Sequence, residues 1–160
     1  MYKILEDYLI KNSTIETIGE FAILWAMIEE KYFDKCCTNK KLDKVTIVNN
    51  NVDLDNCVDR MKKSLMLYYS SSDEVINRLC LRKGDRYFLS HIKDLLEKDD
   101  CEMRDKFFGA LCICFRIRNN LLHGEKVFWL LNQQRDLLDS CCAFLNELLS
   151  EDHSIRIVEE

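Results

Sequence analysis

Across 160 residues the chain contains no proline and only four glycines. Proline lacks the N–H that a helix interior needs, and glycine costs conformational entropy there, so their scarcity leaves long helices without breakers. The same scarcity removes the usual turn residues of tight β-hairpins. The composition therefore points to an all-α protein. With 48% hydrophobic residues in 19.0 kDa, the chain can fill one core and is too short to expect two. We expect a single domain over residues 1–160, built as a compact bundle of about six to seven helices.

Apolar periodicity locates those helices. From Thr14 to about Cys37, Ile15, Ile18, Phe21, Ala22, Trp25, Ile28, Tyr32 and Phe33 recur at helical spacing, which predicts a central, largely buried helix. Tyr2 to Ile10 fits a short leading helix ahead of the Asn12-Ser13 cap signal. Residues 38–56 break the rhythm with a β-branched run, Val45 to Val48, and three consecutive asparagines, and are expected to form a long loop or a brief strand. Asp55 can start a further helix, and Ser72 or Asp73 a shorter one.

Phe88, His91, Ile92, Leu95 and Leu96 then form one stripe, in which His91 reads as a packing residue. Cys101 to Leu122 is apolar almost all round between Phe107 and Phe115, the pattern of a second core helix. A last helix from about Lys126 to Ser150 is expected to lie antiparallel to it across a tight turn, and the acidic tail 151–160 is expected to fray.

The formal net charge of −5 excludes a general nucleic-acid coating protein, so any RNA site has to be local. Nine cysteines suggest a disulfide framework until their positions are read. Most lie inside apolar helical patterns, no pair has CxxC spacing, and no secretion signal precedes them, so reduced, buried thiols are expected and neither a metal nor a cofactor is. Apolar stretches are interrupted by charge before the roughly 18 residues a bilayer span requires, and we expect a cytoplasmic protein that does not enter a membrane.

One segment gathers the chemistry: Arg116-Ile117-Arg118-Asn119-Asn120-Leu121-Leu122-His123-Gly124. Arginine can grip a phosphate through a two-pronged hydrogen bond, and histidine is the side chain that exchanges protons near neutral pH. On a regular helix Asn119 and His123 share a face with Arg116, while Arg118 sits about 140° from His123, within reach of a long side chain. Spacing alone leaves the two arginines tied. A purely structural use of these residues, satisfying the last carbonyls of a helix that Gly124 ends, fits the same pattern.

An arginine followed at once by asparagine, then three residues and a histidine, resembles the signature of the HEPN superfamily (higher eukaryotes and prokaryotes nucleotide-binding), matched here by Arg118, Asn119 and His123. More weakly, Phe21, Leu24, Trp25 and Glu29 are similar to the opening core helix of many HEPN proteins. The resemblance implies a dimeric helical bundle and a metal-independent endoribonuclease of a toxin–antitoxin or antiviral defence system. In it a ribose 2′-hydroxyl attacks phosphorus, His123 exchanges the proton, Arg118 stabilises phosphoryl charge and Asn119 positions.

Arg116, Asn120 and Lys126 are the expected further substrate contacts, and Glu29 an acid that orients Arg118 or His123. The implied partners are RNA, a second copy of the chain and an antitoxin or defence-system protein. Several HEPN toxins carry, two residues after the histidine, a tyrosine that a partner modifies; Glu125 stands there instead. The alternative expectations are a non-catalytic HEPN module that binds RNA, a nucleotide or a protein, and a helical scaffold without a ligand.

Overall fold

The computed structural model describes residues 10–48, 51–79, 85, 87–122 and 128–158. Among them are seven α-helices: α1 (Asn12–Tyr32), α2 (Asn39–Leu42), α3 (Val52–Tyr68), α4 (Ser72–Arg78), α5 (Phe88–Glu97), α6 (Met103–Leu122) and α7 (Arg135–Ser150). A 3₁₀ segment, Phe128–Gln134, leads into α7. Two short strands, β1 (Val45–Ile47) and β2 (Ile155–Ile157), pair antiparallel with Thr46 opposite Arg156. The expected leading helix over Tyr2–Ile10 falls, except for Ile10, outside the described residues, as does the tight turn expected before the last helix.

Helix α6 is the axis of the core. Every residue from Phe107 to Ile117 is buried, as its apolar composition on all sides requires. Helix α5 presses against it closely enough that a Cβ on Gly109 would lie 2.7 Å from the His91 carbonyl oxygen, so glycine is what permits this approach. The His91 ring stands edge-on to Phe108 at 4.8 Å, the packing role its stripe predicts. On the other side Lys106 bridges Asp55 and Asp59 of α3 at 2.6 and 2.7 Å.

Helix α7 makes its most extensive contacts with α3 and α1 rather than with α6, contrary to the antiparallel neighbour expected. The physical reason lies in its buried residues: Leu137, Leu138, Cys141, Cys142, Phe144, Leu145 and Leu148 spread over a wide arc that one neighbour cannot cover. Helix α1 is tied to the entry of α7 by polar contacts. The Thr14 hydroxyl and the Lys11 N–H both donate to Asn132 Oδ1, at 2.8 and 2.9 Å, and the Thr17 hydroxyl donates to Asp139 at 3.0 Å.

Helix α1 also ends sooner than its apolar rhythm suggests. Asp34 and Lys35 adopt positive φ, 50° and 66°, which stops the helix after Tyr32, and the Lys41 ammonium donates to the Phe33 and Cys36 carbonyls at 2.5 and 3.0 Å. The described residues of the stretch 38–56 hold the brief strand that was one of its two expectations, and with it the helix α2 and the start of α3 in place of a long loop. Thr38 caps α2 and Asn51 caps α3 through their side-chain oxygens. The tail does not fray throughout, because β2 uses its β-branched residues to pair with β1.

Candidate functional site

The last turns of α6 carry two arginines that the fold treats in opposite ways. Arg116 is 1% exposed. Its Nε donates to the Leu79 carbonyl at 2.8 Å, Nη1 to Asp85 Oδ2 at 3.2 Å and Nη2 to Asn120 Oδ1 at 2.7 Å. Asn120 returns an Nδ2 donor to the same Leu79 carbonyl at 3.2 Å, and Asn39 of α2 donates to Asp85 Oδ1 at 2.6 Å. Charge buried this deeply persists only when paired and hydrogen-bonded, and here it ties α6 to the end of α4, to Asp85 and to α2.

The expectation that Arg116 and Asn120 contact substrate is therefore corrected. Both are inside the protein, with their donors and acceptors committed to neighbouring protein groups. The shared face expected for Arg116 and Asn119 is not used either. The i,i+4 partner that Arg116 takes is Asn120, because Asp85 and the Leu79 carbonyl lie on that side of the helix.

Arg118, two residues on, turns the other way and keeps 27% of its side chain exposed. Its Nη1 donates to Asn119 Oδ1 at 2.9 Å, and its Nη2 stands 3.6 Å from Glu29 Oε1. Glu29, on the last turns of α1, is buried, whereas Glu30 is exposed. The same Glu29 oxygen accepts the Cys37 backbone N–H at 3.0 Å, so the carboxylate is anchored by α1 and by the chain beyond it. Glu29 thus stands where an acid orienting Arg118 would stand. Arg118, Asn119 and Glu29 are brought together; His123, the next residue in sequence after Leu122, and Lys126 lie outside the described residues.

A guanidinium carries five N–H donors. Among the described residues Arg118 makes one hydrogen bond and one ion pair longer than a hydrogen bond, which leaves donors for an incoming anion. The neighbouring Cys37 thiol is not a nucleophile at neutral pH. Burial first, and then the Glu29 carboxylate, push its pKa up to about 12 against the opposing effect of Arg118.

Beside this group opens a cleft of about 500 Å³ that pattern reading missed. Helix α1 forms one wall with Ile15, Ile18, Ala22 and Ala26, and Leu121 and Leu131 face it, while Arg118 and Glu29 supply its charge. Trp25 lines it too, packed 6.0 Å from Phe115, and among the described residues its buried Nε1–H has no acceptor. An unsatisfied buried donor costs about 1–3 kcal/mol. A signal for the cleft exists in the sequence: the apolar residues of α1 cover a wider arc than one core face needs, Ile23 and Met27 included.

No family model, curated protein or solved structure matches the chain. Among the described residues no helix is long and apolar enough to cross a membrane, and no group of side chains is arranged to hold a metal ion.

Proposed function

We propose that the chain is a HEPN-like, metal-independent endoribonuclease acting on single-stranded RNA. The observation that carries this reading is the Arg118 guanidinium: partly exposed, braced by Asn119 and by a buried Glu29, and followed after four residues by His123. Bracing matters because an arginine that stabilises a transition state has to be in place before charge develops. Arg118 would bind the phosphoryl oxygens, His123 would take the proton from the 2′-hydroxyl and return one to the leaving 5′-oxygen, and Asn119 would hold geometry. The products are then a 2′,3′-cyclic phosphate and a 5′-hydroxyl, and DNA is spared because it lacks the nucleophile.

The resemblance supplies the rest of the proposal, a homodimer in the cytoplasm within a toxin–antitoxin or antiviral defence system. The test is direct. Purified protein and its His123→Ala variant are incubated with mixed single-stranded RNAs in excess EDTA, and the fragment ends are analysed. Cleavage by the parent alone, leaving cyclic phosphate ends, supports the reading. Retained RNA binding with no cleavage by either protein replaces it with a non-catalytic HEPN module, a reading that the mainly apolar character of the neighbouring cleft favours.

A further inference from the structure

The strip of α1 that faces the cleft does not end at the cleft's edge. Ala22 and Ala26 are exposed, and the helical rotation of 100° per residue carries the apolar surface on to Ile23 and Met27, 64% and 49% exposed. Contiguous apolar surface of this kind marks an interaction site. From Ile15 to Glu29 the cleft wall runs for about 21 Å of helix, four turns. That is a groove with the length of a helix, walled by α1 on one side and by Leu121 and Leu131 on the other.

Charge selects among the occupants. Glu16 and Glu30 are exposed at the two ends of the strip, and among the described residues neither forms an ion pair. A second copy of α1 laid antiparallel along the strip would set Glu16 of each chain near Glu30 of the other, and a parallel copy would set like residues together; both orientations oppose like charges. RNA meets the same glutamates with its phosphates and finds few polar groups in the cleft to read its bases. A helix whose lysines or arginines meet Glu16 and Glu30, and whose middle is apolar where it passes the Arg118–Glu29 pair, satisfies both the groove and its ends.

We propose that this groove docks a basic amphipathic helix of a partner protein, and that the docked helix covers Arg118. Burying that guanidinium under the partner would block phosphate access, so on the ribonuclease reading the partner is an inhibitor. Only this regulatory consequence rests on that reading; the docking does not.

The test uses the full chain and a dye-labelled synthetic helix of leucine and lysine, about 18 residues long, followed by fluorescence anisotropy. Its controls are a glutamate-for-lysine version and a scrambled version with no apolar face. The leucine–lysine helix is expected to bind, and Ala26→Trp, which fills an exposed part of the groove, to weaken it by roughly tenfold or more. Glu16→Lys with Glu30→Lys should weaken it further, most at low salt. Circular dichroism melts confirm that the variants fold.

Equal binding of the scrambled peptide, or full affinity in Ala26→Trp, overturns the proposal. So does a dimer in light scattering that Ala22→Glu dissociates, which would make a second copy the occupant. Loss of RNA affinity in Ala26→Trp with unchanged peptide binding would assign the groove to bases instead. Peptide binding by a protein that cleaves no RNA sinks the ribonuclease reading and leaves the docking site standing.

Discussion

Arg116 and Arg118 stand two residues apart on one helix and lead opposite lives. The first is sealed in a network with Asp85, Asn120 and the Leu79 carbonyl, while the second is partly open to solvent and leans on Glu29 and Asn119. Residue type and spacing therefore do not distinguish a buried structural cation from one that solvent can reach. What distinguishes them is the company each keeps across the fold, Asp85 on one side and α1 on the other.

The largest effect that tests this contrast is on stability. Arg116→Ala leaves Asp85 buried without its cation and is expected to lower the unfolding free energy by about 3–5 kcal/mol, measured by urea denaturation. A loss below about 1 kcal/mol, the range of exposed pairs, would mean that the inner network is not structural. Activity supplies the converse. On the ribonuclease reading, Arg118→Ala should slow RNA cleavage about 100- to 1,000-fold while the protein stays folded. His123→Ala should slow it by a comparable or larger factor, roughly 100- to 10,000-fold.

A fourth substitution disturbs neither arginine. Gly109→Ala drives a Cβ into the His91 carbonyl oxygen and should cost about 1–3 kcal/mol, read from the same denaturation curves. On the ribonuclease reading, cleavage per folded molecule should not change, because the strain lies between α5 and α6, away from Glu29 and Arg118. A smaller effect is expected from Arg118→Ala on stability, about 1–2 kcal/mol, between exposed and buried pairs, because the buried Glu29 loses its cation but keeps the Cys37 N–H. If it destabilises as strongly as Arg116→Ala, the two arginines are not different in kind.

The smallest effect concerns Cys37, whose N–H holds Glu29. Its thiol ionises near 9.0 when unfolded and near 12 when folded, so the unfolded chain releases a proton that the folded one keeps. Its contribution to stability is therefore complete below pH 9.0 and declines as pH rises toward about 12. Cys37→Ala should flatten the fall in urea midpoint measured from just below that window into it. In the native protein, exposed Cys36 should react with iodoacetamide while buried Cys112 and Cys114, whose thiols burial pushes well above 9.0, react only on unfolding.

The helices were legible because their signals are local. The absence of proline and the stripes of α1, α5 and α6 depend on neighbours three and four residues apart. The errors arise where a distant partner decides. The tail was expected to fray, and Val45–Ile47 to be a loop or a brief strand, because each pairs with a segment that no window of sequence around it contains. The roles of Arg116 and Asn120 depend on Asp85, 31 residues before Arg116, and on Asn39, 46 residues before Asp85. Glu29 was legible as an acid near Arg118, since a carboxylate among buried residues needs a cation. The cleft was not, because the same apolar residues also read as ordinary core.

The two-stranded sheet has a consequence for how the protein is made. Strand β2 is the last described element to leave the ribosome, and until it does β1 has no partner. During synthesis the Ile47 side chain, buried in the finished fold, and the Lys44 and Val48 backbone groups that later bond to Val158 and Ser154 stay open to solvent. A chain interrupted before Ile155 would leave that edge bare, so the pairing of β1 waits on a segment made more than a hundred residues after it.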